Sequence, residues 1–206
     1  MSRLLAAVYD RWMTRSEVAC LASWRAELLA GLRGVVLEIG AGTGANLHHY
    51  PPAVRRLVLC EPDRFMRAHL AGKAAAGTEI LDAPVERLPF ADATFDAVVS
   101  TLVLCSVADP RTALAEIRRV LRPGGQLYFI EHVAAEDDRG RLRWQRWLEP
   151  VWRVIAGNCH LTRRTEAAIE GAGLVLEEVR RESVRKALPI VRPSIRGRAR
   201  KAAATA

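Results

Sequence analysis

The stretch at residues 35–44, VVLEIGAGTG, constrains the fold more than any other part of the chain. Val35, Val36, Leu37 and Ile39 form the short apolar run of a strand buried on both faces. Gly40, Gly42 and Gly44 follow at every second position, and without a Cβ they let the backbone turn sharply and approach a ligand closely. Thr43 and Asn46 then predict the cap of a helix whose amides point back at that ligand. Strand, glycine turn and helix make a nucleotide-binding crossover, at the strand end where open α/β sheets bind ligands.

Two kinds of nucleotide fit this turn. Gly40-x-Gly42-x-x-Ala45 satisfies the dinucleotide pattern, with Glu61 a suitable distance downstream. The same residues also read ExGxGxG from Glu38 to Gly44. Glu38 favours the second reading, because a carboxylate there suits a cationic amino group and repels a pyrophosphate. Length favours it too: 206 residues are too few for two mononucleotide halves plus a substrate domain.

Half the residues are hydrophobic, enough for one sizeable core. No run of 18 apolar residues is present, and the start MSRLLAAVYDRW has no signal-peptide core, so a cytoplasmic location is expected. Cys20, Cys60, Cys105 and Cys159 are scattered without CxxC spacing; they read as reduced thiols, not as a disulfide set or a zinc site, and no metal ligand is expected. The net charge is +8, and residues 180–201 hold nine Lys/Arg against Glu182 alone, so the rest of the chain is near neutral. This basic tail suits an anionic membrane surface or a solvated face, and no specific nucleic acid is expected.

The periodicity predicts helices over 2–13 and 16–31, joined near Thr14, with Tyr9, Trp12 and Met13 on one face as a lid or as core. Strands are predicted at 57–60, 79–81, 95–101, 126–132 and 174–179, with a last strand inside 183–200, where Pro189 and Pro193 suit an edge. Glu61, at the tip of the second strand, is placed to accept ribose hydroxyls. Residues 83–90, APVERLPF, wall an adenine ring, and residues 102–107 continue apolar past the fourth strand to line a pocket. Asp109 and Pro110 start a helix over 110–121. Thr162 caps another that ends at 171–173. Residues 139–156 carry Trp144, Trp147 and Trp152 among five arginines, a pattern that suits a membrane interface, a lid over an apolar substrate or an ordinary packed helix.

EIGAGTG, CEPD, ERLPFADATFDAVVS and LRPGG together resemble the class I S-adenosylmethionine-dependent methyltransferases. TGANLHHYPP, STLVLCSV, EIRRVLRPGG, EHV, Glu149-Pro150-x-Trp152 and GNCHLTRRT resemble, more narrowly, the methyltransferase-like-seven group of alkyl thiol S-methyltransferases. The resemblance covers about residues 5–200. It implies an α/β fold: a Rossmann-like, doubly wound sheet of seven strands, mostly parallel with an antiparallel last strand. A helical cap at 1–33 would precede the methyltransferase domain at 34–206. The cofactor, S-adenosylmethionine, would lie among Glu38, Gly40, Ala41, Gly42, Gly44, Asn46, Glu61, Pro62, Val85, Glu86, Thr101 and Leu102. Many relatives place an Asp where Pro84 stands here, and Asp82 lies two residues earlier. The animal members begin with a hydrophobic membrane segment that this sequence lacks.

A sulfonium is already a good leaving group, so the protein's work is to position the partners and exclude water. A thiol with pKa near ~8.5 is partly ionised at neutral pH, which makes a base optional. His132 is the candidate base if one is used, with His160 a weaker one. Tyr9, Met13, Leu104, His132, Trp147 and Cys159 are the candidate acceptor-binding residues, for a small lipophilic substrate. Methylation of a lipid amine or a quinone, and a cofactor-binding protein without turnover, are the competing readings.

Overall fold

The computed structural model describes residues 3–203, and side chains from Tyr9 onward. Residues 1–2 and 204–206, which hold the first residue of the expected helix 2–13 and the end of the KAAATA tail, lie outside the described residues. A seven-stranded sheet of order β3-β2-β1-β4-β5-β7-β6 forms the centre. Its strands are β1 (Gly34–Ile39), β2 (Val54–Cys60), β3 (Glu79–Leu81), β4 (Phe95–Thr101), β5 (Leu121–His132), β6 (Leu174–Ser183) and β7 (Pro193–Lys201). All pairs are parallel except those of β7, which runs antiparallel to both β5 and β6. The fold expected from the sequence is the fold observed. The order reverses at β1 and β4, so the carboxyl ends of these two strands open the crevice where such sheets bind ligands.

Helices cover the sheet. They are α1 (Arg3–Ser16), α2 (Ala22–Leu29), α3 (Arg64–Lys73), α4 (Pro110–Val120), α5 (Arg139–Ile155) and α6 (Thr165–Gly171). The apolar stripe of α4, Ala113, Leu114, Ile117 and Val120, is fully buried in one core with Leu37, Val98 and Phe129. On the other face Leu29 and Leu32 pack with Val36, Ala97, Val99 and Tyr128, so the N-terminal helices share a core with the sheet.

Three local expectations are corrected. No break occurs near Thr14: its hydroxyl donates to the Asp10 carbonyl one turn back, and α1 runs on to Ser16. The change of phase falls instead in a π-helical turn at Glu17–Leu21, where the Ala22 amide donates to the Glu17 carbonyl. No α-helix follows the glycine turn. Gly44 sits at φ +87°, and Pro51 holds Tyr50 extended at ψ 124°, leaving only a 3-10 turn at Leu47–His49. Thr162 does not cap α6, which begins after Arg164; its amide and hydroxyl both donate to Glu149. The last strand expected inside 183–200 is present as β7, and the basic stretch is paired along it. That stretch forms most of the β6–β7 ribbon, where Arg196 pairs with Glu27 and Glu182, Arg198 with Glu178, Arg200 with Glu177 and Arg181 with Glu166.

Candidate active site

A cavity of about 880 Å³ opens at the carboxyl edge of the sheet. Gly40, Gly42, Glu61 and Pro62 line one end, beside Val85 and Glu86; Tyr9, Met13, Leu102, His132, Trp152 and Cys159 line the other.

The first end is built by the glycine turn. Gly42 has φ +58°, and a Cβ there would meet nothing of the protein closer than 3.9 Å. The backbone is bare toward the cavity, and the space is left for a ligand. The Gly42 amide donates to Glu61 Oε2 (2.8 Å), and the Asp63 amide donates to Glu61 Oε1 (2.8 Å). Burial pushes the Glu61 carboxyl above its usual range, and these two amides pull the other way. A carboxylate accepts about four hydrogen bonds, so each oxygen keeps a lone pair for a ligand. Asp82 stands apart, paired with Arg67 at the surface.

Glu38, Asn46 and Thr101 form a buried polar network behind the turn, outside the cavity lining. Asn46 Nδ2 donates to Glu38 Oε1 (2.8 Å) and Thr101 Oγ1 (3.0 Å), and Tyr50 donates to Glu38 Oε2 (2.6 Å). Arg25, from α2, donates to Asn46 and Thr101 and is held by Glu17. Glu38, expected to face a ligand's amino group, is buried at 2% exposure and lies outside the cavity lining, where Asn46 and Tyr50 each donate to one of its oxygens and tie it to the turn. Arg25 had no signal in the sequence, because a lone arginine in an amphipathic helix reads as surface. Ala41 and Gly44 pack inward against Leu70 and are likewise not in the lining.

The second end is where three segments converge. Leu102 leaves β4 with φ +61°, an uncommon conformation for a bulky residue, fixed by its amide donating to the Ile130 carbonyl (2.7 Å). The residues beyond, 103–107, fold over the edge of the sheet, and Glu131 pins them by accepting from Ser100 Oγ and from the amides of Val103 and Cys105. The turn after α5 is then sewn to this loop: Asn158 Nδ2 donates to the Ser106 carbonyl, the His160 amide to the Cys105 carbonyl, and Arg163 to the Val107 carbonyl. Glu149 holds the same turn from α5 through Thr162 and His160.

This stitching places Cys159 Sγ 3.9 Å from Cys105 Sγ and 3.6 Å from a ring nitrogen of His132. The hydrogen bond between the sulfurs, helped by His132 and opposed by burial, draws the Cys159 thiol down to about 4 and Cys105 well above its ordinary value. Burial disfavours charge on His132, but the Cys159 sulfur outweighs it and its pKa is raised. Three residues that lie 27 and 54 positions apart come together here, and their spacing could not show it. Leu104 is buried in the core behind them and is not in the lining. Trp147 is placed outside: it is 70% exposed, while Trp152 faces the cavity and packs on Trp12 with ring centroids 6.1 Å apart.

A methyltransferase-domain family profile matches residues 37–129. The chain is 44% identical over 144 residues to the rat thiol S-methyltransferase TMT1B, covering 66% of this chain and 58% of the relative. It is 38% identical over 169 residues to the human thiol S-methyltransferase TMT1A, covering 79% of this chain and 68% of the relative. A demethylmenaquinone methyltransferase from Thermobifida fusca is 30% identical over 158 residues, covering 74% and 64%. The chain thus spans about three-fifths of the length of the rat and human TMT1B proteins it matches, 58% and 62%. Among solved structures, the N-methyltransferase NodS of Bradyrhizobium japonicum in complex with S-adenosyl-L-homocysteine aligns with TM-score 0.66 at 18% identity, covering 90% of this chain and 87% of that one. The [4+2]-cyclase SpnF aligns at 0.70 and 19%, covering 89% and 80%, so the fold alone does not fix the chemistry.

Proposed function

The chain belongs to the S-adenosylmethionine-dependent class I methyltransferases, in the group of the thiol S-methyltransferases, and on that premise we propose that it methylates the sulfur of a small lipophilic thiol. The observation that carries the reading is the single cavity with two unlike ends. Its 880 Å³ lies near the top of the ~300–1,000 Å³ range of small-molecule sites, room for two ligands side by side.

The residues at the first end fit the cofactor. Glu61 accepts the ribose hydroxyls, the bare Gly42 backbone lets the ligand lie close, and Val85 and Glu86 border the adenine. Bound S-adenosylmethionine supplies an electrophilic methyl group on a sulfonium. At the second end Tyr9, Met13, Leu102 and Trp152 give an apolar wall that excludes water and favours a lipophilic acceptor. Leu102, held at φ +61° just past the tip of β4, brings its side chain into that wall.

We propose further that the acceptor reaches this cavity from an anionic membrane surface. On α5 the exposed residues Trp144, Trp147, Val151 and Val154 recur at three- and four-residue spacing and form one outward stripe, with exposures of 56, 70, 60 and 85%. Arg143, Arg146 and Arg153 are exposed beside them. Indoles at an apolar boundary with guanidiniums at phosphate level match a bilayer interface. The inner side of α5 carries Trp152 into the cavity wall, so the stripe and the cavity share one helix. No helix among the described residues is long and apolar enough to cross a membrane.

Methyl-labelled S-adenosylmethionine incubated with the protein and a panel of alkyl thiols, phospholipid amines and quinols tests the proposed activity. Label is expected in the thioethers; label confined to an amine or a quinol, or no transfer at all, would refute thiol methylation.

A further inference from the structure

Cys105, His132 and Cys159 come from three separate segments: the loop beyond β4, the end of β5 and the turn after α5. All three line the cavity. Their ligand atoms lie within 4.8 Å of one another, and among the described residues no other group of three such side chains does so. The closest distances are 3.9 Å between the sulfurs and 3.6 and 3.7 Å from Cys159 Sγ to the two His132 ring nitrogens.

Those lengths can be compared with a tetrahedral ion. Zinc–sulfur bonds of ~2.3 Å and zinc–nitrogen bonds of ~2.05 Å give edges of roughly 3.8 Å between sulfurs and roughly 3.6 Å from sulfur to nitrogen. The two edges at Cys159 are close to those values, and the third, between Cys105 Sγ and His132, lies within 4.8 Å. Two thiols and an imidazole are also the donor set that selects a borderline-soft divalent cation over calcium or magnesium. We propose that Cys105, His132 and Cys159 bind a zinc-like divalent cation at the acceptor end of the cavity.

The surroundings support a site of fixed shape. Cys105 and His132 are 2 and 4% exposed, so neither is free to swing away. The carbonyl of Cys105 is held by the His160 amide, which locks the two cysteine-bearing segments together. Glu131, fully buried on the β5 residue next to His132, accepts the Cys105 amide and fixes that segment's backbone. Arg163 is the nearby cation, and its guanidinium is engaged with the Val107 carbonyl. The three protein ligands leave a fourth vertex, on the cavity side, as catalytic zinc sites do and structural ones do not. Thiolate is the softest ligand available for that position; this last clause rests on the proposed thiol substrate, whereas the site itself does not.

A competing chemistry uses the same sulfurs: a Cys105–Cys159 disulfide, which requires an oxidant such as a peroxide. The test therefore starts from protein reduced with a phosphine, with all four thiols counted as free. Cobalt(II) is then titrated in without cofactor or acceptor. The expected result is one equivalent bound, with intense tetrahedral visible bands and a sulfur-to-cobalt charge-transfer band, both bleached by zinc. Cys159→Ser and His132→Gln should each weaken cobalt binding at least tenfold, and Cys60→Ala, remote from the cluster, should leave the spectrum unchanged. Circular dichroism confirms that each variant is folded, and Cys159, the less buried of the two cysteines at the cavity, is the position that best tolerates change. Weak octahedral bands only in the wild type, or tetrahedral bands that persist in Cys159→Ser, would overturn the assignment. Methyl transfer plays no part in this readout, so its failure leaves the proposed reaction standing and the reverse also holds.

Discussion

Glu61 and Glu149 are carboxylates that both hold backbone amides, and they are expected to fail differently when replaced. Glu61 spends one lone pair on each of two amides and turns the rest to the cavity. Glu61→Ala should weaken S-adenosylhomocysteine binding by ~1.5–3 kcal/mol, the scale of a hydrogen bond to a charged group; calorimetry reads it, and an unchanged affinity would refute the ribose role. Glu149 faces no ligand. It accepts from the Thr162 amide and hydroxyl and contacts His160, which fixes the turn that carries Cys159. Burial opposes its charge, but the Thr162 hydrogen bonds prevail and hold its pKa below the ordinary value. A depressed carboxylate stabilises the fold above its unfolded pKa and loses that contribution as pH falls through the folded one. Wild type should therefore melt above Glu149→Gln at neutral pH, with the gap closing as pH drops below ~4. A gap that stays constant across that range would show that charge is not what Glu149 contributes.

At the scale of elements, the middle of β7 rests on one residue. A Cβ on Gly197 would lie 1.9 Å from the Glu178 carbonyl oxygen, beside the irregular step in β6 between Leu176 and Glu178. The bulged carbonyl takes the space a side chain would need. Gly197→Ala should cost ~1–3 kcal/mol, typical of forced overpacking, and denaturant unfolding measures it; a loss below ~0.5 kcal/mol, the usual range for surface changes, would mean the bulge relaxes freely. The same ribbon shows where the sequence could be read and where it could not. Buried strands such as β1, β4 and β5 announce themselves as apolar runs, and Asp109-Pro110 marks the start of α4 through local chemistry alone. The pairing of the charges of 180–201 was not readable, because their partners Glu27, Glu166, Glu177 and Glu178 lie outside that stretch. The glycine turn was legible as a ligand loop, yet its expected helix was not formed, since Gly44 and Pro51 together outweigh the caps at Thr43 and Asn46.

At the scale of the molecule, the place of the glycine loop and Glu61 together on a cavity at the sheet's carboxyl edge was readable, because strand ends and glycines carry their meaning locally. The Cys105–His132–Cys159 cluster and the Arg25 network were not, because each depends on segments meeting across the fold. The outward stripe of α5 lies between these cases: periodicity showed an amphipathic helix, and only the structure shows that Trp144 and Trp147 face out while Trp152 faces in. Flotation with anionic vesicles should carry the protein at low salt and release it at high salt, with each exposed arginine worth up to ~1 kcal/mol. Trp144→Ser with Trp147→Ser should abolish flotation without changing turnover on a water-soluble thiol. Unaltered flotation in that double variant would place the membrane contact elsewhere or rule it out.

The central claim is that one cavity holds the cofactor against Glu61 and presents its reacting sulfur to the chamber of Tyr9, His132, Trp152 and Cys159. A crystal structure with S-adenosylhomocysteine tests it most directly. The ribose hydroxyls should lie within about 3.2 Å of the Glu61 carboxylate, with the ligand's sulfur opening past Leu102 toward Cys159. Adenosine density away from Glu61, or a sulfur turned from that chamber, would contradict it.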